Sequence, residues 1–274
     1  MFRKYHGVGN DFIICTYQNK DIDYSQMARK VCDRHTGLGA DGFLVAKADK
    51  EFIEMIFYNA DGSRAPMCGN GIRCFSKYCL DEKLVSGNEF YIKTIPGLMK
   101  INVISFEPYV CKVNLGKPHF ESSLLDIDTD KETFLNEEIT YFDKEEKKII
   151  ADAVYMTTHH LVVLVDNLDK TVNSNLGDIL CHHPLFKKGM NVNFVEVIDR
   201  DNIKMKTFER GVGWTLACGT GASSAYVILK MRKLCNDKIN IHLEKGTLVI
   251  TSINDEIIME GPVVSIAKGI EFIE

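Results

Sequence analysis

Two short stretches carry the residues best suited to chemistry, Cys68-Gly69-Asn70-Gly71 and Cys218-Gly219-Thr220-Gly221. Each opens a segment of helical character, one running from Ile72 towards Leu84 and the other from Ala222 to Leu234. A cysteine at the first turn of a helix lies at the positive end of the helix dipole and beside backbone N–H groups, which favours its thiolate. Those N–H groups also hold a carboxylate, and the neighbouring glycines let such a ligand approach the backbone closely. Two sites of this kind suit proton exchange at carbon: one thiolate removes an α-proton from one face while an opposed thiol delivers a proton to the other. This chemistry needs no cofactor. The α-proton is very weakly acidic, so the developing carbanion has to be stabilised by holding its carboxylate against helix N-termini, away from water.

Other candidates weigh less. Cys15, Cys32, Cys74, Cys79, Cys111, Cys181 and Cys235 read as core residues, the commonest setting for a cysteine. Cys181-His182-His183 has metal-ligand types, but adjacent histidines point in different directions and no second pair stands at zinc spacing, so no metal is expected. Gly7-Val8-Gly9-Asn10-Asp11 and Gly37-Leu38-Gly39-Ala40-Asp41-Gly42 lack the Lys of a phosphate loop and the third glycine of a dinucleotide fingerprint, and read as turns. His159-His160 precede the apolar run Leu161 to Val165, so strand alternation turns one histidine inward and the other outward. A partly buried histidine next to a cysteine can hold its proton or accept it.

The elements that must position these groups recur in two halves. After the first helix come strands Phe90 to Thr94 and Met99 to Ile104 around a Pro96-Gly97 turn. After the second come Ile239 to Leu243 and Thr247 to Thr251 around Lys245-Gly246. The two series end alike, in Leu115-Gly116-Lys117-Pro118 and Met259-Glu260-Gly261-Pro262. Glu121 to Lys148 is rich in charge and poor in aromatics, and reads as a boundary or a surface excursion. The expected organisation is a mixed α/β (α+β) chain with an N-terminal half at 1–118, a C-terminal half at 119–263, and a last strand, 264–274, returning to the first half.

With 274 residues, 45% apolar and 26% charged, the chain reads as an ordinary globular protein with room for a sizeable core. Its formal charge of −5, without a basic tail or stripe, argues against a nucleic-acid partner. No apolar run is long enough to span a bilayer, so no membrane partner is expected. The same charge balance suits a small neutral or zwitterionic ligand, while an odd cysteine count and no cleavable apolar opening segment point to a reduced, cytoplasmic protein.

Over essentially its whole length the sequence resembles the diaminopimelate epimerases. The resemblance runs through Tyr5-His6-Gly7-Val8-Gly9-Asn10-Asp11-Phe12, Asn59-Ala60-Asp61-Gly62-Ser63, Met67-Cys68-Gly69-Asn70-Gly71-Ile72-Arg73-Cys74, Asn191-Val192-Asn193-Phe194, Glu209-Arg210-Gly211-Val212-Gly213 and Thr215-Leu216-Ala217-Cys218-Gly219-Thr220-Gly221-Ala222. It implies two pseudo-symmetric domains, each a mixed sheet curled round a central helix, with the active site in the cleft between them. It also implies interconversion of LL- and meso-diaminopimelate without pyridoxal phosphate or metal. By motif position, Cys68 and Cys218 would be the acid/base thiols, with His160 beside the first and Glu209 beside the second. Asn10, Asn59, Asn191 and Arg210 would contact substrate, and the backbone of Gly69, Asn70, Gly219 and Thr220 would hold the reacting carboxylate. A homodimer is the assembly this reading allows.

Two departures bear on the substrate. Thr157-Thr158-His159-His160 stands where the family has Gly-Asn-Pro-His, which puts Thr158 in the place of a substrate-binding Asn, and Trp214 replaces a Glu. They leave room for a cofactor-independent racemase of the same family acting on another amino acid, such as histidine. A non-catalytic binding protein and an isomerase of the phenazine-biosynthesis type are disfavoured, because both Cys-Gly-x-Gly sites are present.

Overall fold

Residues 1–18, 21–48 and 51–272 are described by the structure, a computed structural model of the chain. The chain falls into two units, Met1–Asn114 with the stretch from Glu260 onward, and Leu115–Met259. These divisions lie a few residues before those expected at 118 and 263. The Leu115 amide bonds to the Ile257 carbonyl, which ties this residue to the second unit.

In the first unit, β1 (Phe2–Gly7) and β2 (Asn10–Thr16) form a hairpin around Val8-Gly9, both at positive φ (57° and 94°). Glycine adopts this conformation freely, whereas a β-branched valine does so only when its surroundings hold it. Burial of Val8 supplies that hold. After β2, α1 (Tyr24–Cys32), capped by Asp23 accepting the Gln26 N–H, crosses over to β3 (Gly42–Ala48), which lies parallel to β2. Antiparallel β4 (Ile53–Asn59) and the short β5 (Arg64–Ala65) lead into α2 (Gly69–Asp81). Then β6 (Glu89–Thr94) runs parallel to β4, followed by antiparallel β7 (Gly97–Phe106) and β8 (Tyr109–Asn114).

The second unit repeats this order after an added strand, β9 (Glu137–Asp143), paired with β10 (Glu145–Tyr155). Antiparallel β11 (His159–Leu164) is followed by α3 (Leu168–Val172) and α4 (Leu176–Cys181), and then by β12 (Asn191–Val197), parallel to β11. Antiparallel β13 (Asn202–Glu209) and β14 (Gly213–Thr215) lead into α5 (Gly219–Met231). β15 (Lys238–Leu243), parallel to β13, antiparallel β16 (Gly246–Ile253) and β17 (Glu256–Pro262) complete it. The last strand, β18 (Val264–Ile270), pairs antiparallel with β1.

Each unit therefore wraps a mixed sheet around one buried helix. α2 packs on β1, β2, β3 and β8, and α5 packs on β10, β11, β12 and β16. Every α5 residue from Gly219 to Leu229 is buried, and the Ser223 and Ser224 hydroxyls are satisfied by the Gly219 and Thr220 carbonyls one turn back. The hairpins after these helices turn at Ile95-Pro96 and Glu244-Lys245, one residue earlier than expected; Gly97 and Gly246 already pair as the first strand residues.

The stretch Glu121 to Lys148 is more than a surface excursion. Leu125, Ile127, Phe134 and Ile139 are buried in the core of the second unit, and β9 lies within the stretch. Its apolar residues stand singly among charges, so composition alone hides them. Trp214 is likewise a core contributor, with ring centroids 5.6 Å from Phe194 and 5.4 Å from Phe208. Among the described residues no helix is long and apolar enough to cross a membrane.

Trp214 is the single tryptophan and reports on this cluster. Phe194→Ala removes a fully buried ring beside it. The expected loss is about 3–5 kcal/mol of unfolding free energy in urea, with altered Trp214 emission. A loss below about 1 kcal/mol would show that the cluster does not hold the second unit together.

Candidate active site

Cys68 and Cys218 are the N-cap residues of α2 and α5, with near-identical extended backbones (φ −136°, ψ 126° and φ −128°, ψ 110°). Each sulfur accepts the N–H of the residue three positions on, Gly71 at 3.4 Å and Gly221 at 3.3 Å. This is the position in which Ser or Asp normally caps a helix, and a sulfur there takes up an N–H that the helix leaves unpaired. An N–H aimed at sulfur, at the positive end of a dipole, is the setting that stabilises negative sulfur.

The other seven cysteines have no such setting. All are buried. Burial pushes the Cys15 and Cys32 thiols up to about 12 and raises those of Cys74, Cys79, Cys111, Cys181 and Cys235. In Cys181-His182-His183, His182 Nδ1 lies 3.1 Å from the Asp178 carboxylate and its Nε2 3.9 Å from the Cys181 sulfur, while His183 Nε2 lies 3.0 Å from the Thr140 carbonyl. Among the described residues no three His, Cys, Asp or Glu side chains gather as metal ligands.

Around Cys68 the first unit assembles a network of amides. The thiol lies 3.7 Å from Asn10 Oδ1, which also accepts from Asn70 Nδ2 at 3.2 Å. Asn10 Nδ2 donates to Asp41 at 2.6 Å, which fixes the orientation of its amide. Arg34 bonds both Asp41 and Asp11, and Lys4 lies 3.0 Å from Asp11. Burial opposes ionisation of Asp11, but hydrogen bonds from Arg34 and Lys4 outweigh it and hold this carboxyl below its ordinary range. Behind the site lies Arg73, fully buried, donating to Asn70 Oδ1 at 2.9 Å and to the Gly69 carbonyl at 3.3 Å.

Around Cys218 the partners differ in kind. Thr220 Oγ1 lies 3.5 Å from the sulfur and 3.0 Å from His160 Nε2. His160 Nδ1 lies 3.2 Å from Asn193 Nδ2. Thus His160, expected beside Cys68, makes both of its ring hydrogen bonds within the second unit, on the Cys218 side. Burial, followed by the neighbouring His159, lowers its pKa to about 3, so the ring is neutral at ordinary pH. Glu209 accepts from the Thr215 hydroxyl at 2.8 Å at the end of β13.

Of the expected substrate contacts, Asn10, Gly69 and Asn70 gather at Cys68, and Gly219 and Thr220 at Cys218. Asn191 accepts the Arg210 N–H at 2.9 Å, and the exposed Arg210 guanidinium donates to the Lys188 carbonyl at 2.6 Å. Asn59 bonds Ser63 inside its own hairpin at 2.9 Å. Thr158 receives the Met156 N–H on its carbonyl, after Thr157 at φ 61°. Sequence reasoning missed Arg73 and Asn193 as parts of the two networks, and with them Thr207, whose hydroxyl donates to Asn193 Oδ1 at 3.0 Å. The available signal was a polar side chain in an otherwise buried run, Val192-Asn193-Phe194 and Ile72-Arg73-Cys74.

A buried neutral histidine also sets acid stability. The unfolded chain protonates His160 near its ordinary 6.5 and the folded chain only near 3, so the unfolded state binds the extra proton between these values. The contribution of His160 is therefore neutral above about 6.5 and increasingly destabilising as pH falls towards about 3. Urea unfolding across this range should show a shallower acid loss for His160→Gln than for the parent chain. Parallel pH curves would contradict the buried neutral ring.

The profile of the diaminopimelate epimerase family matches residues 2–121 and 152–266. The diaminopimelate epimerase of Alkaliphilus metalliredigens is 36% identical, with 98% of this chain and 96% of the relative covered. That of Caldanaerobacter subterraneus is 37% identical, with 98% of both covered. The fold is shared with a phenazine biosynthesis protein of the PhzF family from Bacillus anthracis (TM-score 0.71, 14% identity, 97% and 96% covered). It is also shared with a probable proline racemase from Agrobacterium radiobacter (TM-score 0.70, 12% identity, 96% and 90% covered). With its paired N-cap thiols, matching profile and near-full-length relatives, the chain belongs to the diaminopimelate epimerase family.

Proposed function

We propose that this chain interconverts LL- and meso-diaminopimelate by two-base proton transfer, in lysine and cell-wall precursor synthesis in the cytoplasm. The observation that carries this reading is the pair of cysteine N-caps at equivalent places in the two repeated units. One sulfur, as thiolate, takes the α-proton; the C–H electron pair passes to the α-carbon and its carboxylate, and the other sulfur, as thiol, returns a proton to the opposite face. Each turnover exchanges the protonation states of the two sulfurs. First-turn N–H groups at Gly69, Asn70, Gly219 and Thr220 stabilise the carboxylate on which charge accumulates. Neutral His160 acts as a hydrogen-bonding group here and not as a base.

The second carboxylate and amine of diaminopimelate need polar recognition. Arg210, with Asn191 on its backbone, supplies a charge-assisted donor, and Thr158 keeps a hydroxyl where the family has an amide. Trp214 is occupied in packing against Phe194 and Phe208, so its departure from the family pattern has a core explanation and gives no reason to change the substrate. The chain would act on a free amino acid, with a homodimer as the proposed assembly.

Cys68→Ala and Cys218→Ala should each abolish epimerisation, measured by NMR of diaminopimelate in deuterated solvent. Near-parental epimerisation by either variant would exclude the two-base scheme.

Arg210→Ala should lower kcat/KM for diaminopimelate by about a hundredfold or more, because a carboxylate loses its charged partner. It should leave any weak turnover of monocarboxylate amino acids unchanged. A parental preference for a monocarboxylate amino acid such as histidine would instead establish the racemase reading.

A further inference from the structure

We propose that Asn193 is a positioning residue for Cys218: its amide fixes His160 as the Nε2–H tautomer, which directs the Thr220 hydroxyl proton onto the Cys218 sulfur. This inference rests on the reading of Cys218 as one of the two acid/base thiols.

The chain of donors can be followed atom by atom. Asn193 Nδ2 donates to the Leu161 carbonyl at 3.0 Å, and Asn193 Oδ1 accepts from the Thr207 hydroxyl at 3.0 Å. Reversing this amide would set its oxygen against a carbonyl oxygen, so the nitrogen must face His160 Nδ1. An amide nitrogen only donates, so Nδ1 accepts and the ring proton resides on Nε2. That proton points at Thr220 Oγ1, 3.0 Å away. With the imidazole donating to it, the Thr220 oxygen turns its own proton to its other neighbour, the Cys218 sulfur at 3.5 Å. In the opposite tautomer Nε2 would accept the hydroxyl proton, and the sulfur would lose a donor.

Asn193, Thr207 and His160 are all buried, so no water competes for these bonds. The helix is built to admit the amide. A Cβ on Gly221 would lie 2.2 Å from Asn193 Oδ1, so only glycine fits beside it, and this same glycine gives its N–H to the sulfur. Cys218 as thiolate therefore receives two donors, the Gly221 amide and the Thr220 hydroxyl. No proton leaves His160 or Thr220 during turnover. When the sulfur gains the α-proton, an S–H bond forms and both groups keep their protons.

Two readouts test this without turnover, so they stand or fall separately from the proposed reaction. The first is NMR of isotopically labelled histidine in the wild-type chain, with His160 identified by the signal lost in His160→Gln. The Nε2–H tautomer is expected at neutral pH, changing to Nδ1–H in Asn193→Asp, whose carboxylate accepts. An Nδ1–H ring in the wild-type chain would overturn the proposal whatever the variant does. The second is titration of thiolate ultraviolet absorbance in a Cys68→Ala background, where burial keeps the other seven thiols from ionising early. Thr220→Val should raise the Cys218 midpoint by about one pH unit, and Thr220→Ser should restore it. A purely structural role for the hydroxyl would leave the midpoint of a folded Thr220→Val chain, checked by circular dichroism, unchanged, and that result would also overturn the proposal.

Discussion

The placement of a sulfur at the N-cap of a buried helix is the constraint on which the rest of the structure depends. A helix that starts inside a core leaves unpaired N–H groups where no water can reach them, and something must accept them. In α2 and α5 the cysteine side chain takes one from the third residue onward. The donor residue itself is glycine in both helices, because a Cβ on Gly71 or Gly221 would lie 3.2 Å from the cysteine Cβ. The wrapped sheets then serve to bury the helix and to bring polar side chains to its first turn. In this arrangement the N–H that the cap satisfies is also the donor that favours a thiolate.

Much of this was legible in the sequence, because it depends on local rules. Cysteine followed by Gly-x-Gly before an apolar run marks a helix start, and its recurrence with matching hairpins marks a repeat. Two-residue turns such as Val8-Gly9 follow from the pairing of Gly7 with Asn10. What stayed hidden depends on tertiary contact. Phe134 and Ile139 lie among charges and enter the core only because β9 folds against the second unit. Trp214 looks like a change in chemistry by position, yet Phe194 and Phe208 are what it touches. The bonds of His160 depend on tertiary contact too: the parallel pairing of β11 with β12 brings Asn193 to one ring nitrogen, and the packing of α5 on β11 brings Thr220 to the other.

Buried polar residues were the hardest to read, for a physical reason. Asn193 and Arg73 stand in runs that would bury equally well if they were apolar, and a buried polar group costs free energy unless it is fully bonded. Their presence therefore implies partners, but the sequence does not say which. The structure supplies Thr207, Leu161 and His160 around Asn193, and Gly69 and Asn70 at the two terminal nitrogens of Arg73, whose buried Nε makes no hydrogen bond among the described residues. Both residues bear on a functional side chain without reaching it themselves. Arg73 holds Asn70, which holds Asn10 beside Cys68.

The two sites thus share a backbone and differ in their side chains. Inverting one carbon from either face asks for matching geometry, and the repeat provides it in nearly equal N-cap torsions. The reaction also needs one sulfur with a proton and one without, and matching side chains would not distinguish them. At Cys68 the neighbouring atom is the Asn10 carbonyl oxygen, held in place by Asn70 and Asp41, and an oxygen with no proton of its own accommodates S–H. At Cys218 the neighbour is a hydroxyl set between the sulfur and His160 Nε2, a group that, unlike an amide oxygen, has a proton to offer a bare sulfur. The two residues that differ at the same place in the repeat, Asn70 and Thr220, therefore give one common backbone two sets of partners: Asn70 reaches its sulfur through Asn10, whereas Thr220 lies beside its sulfur directly.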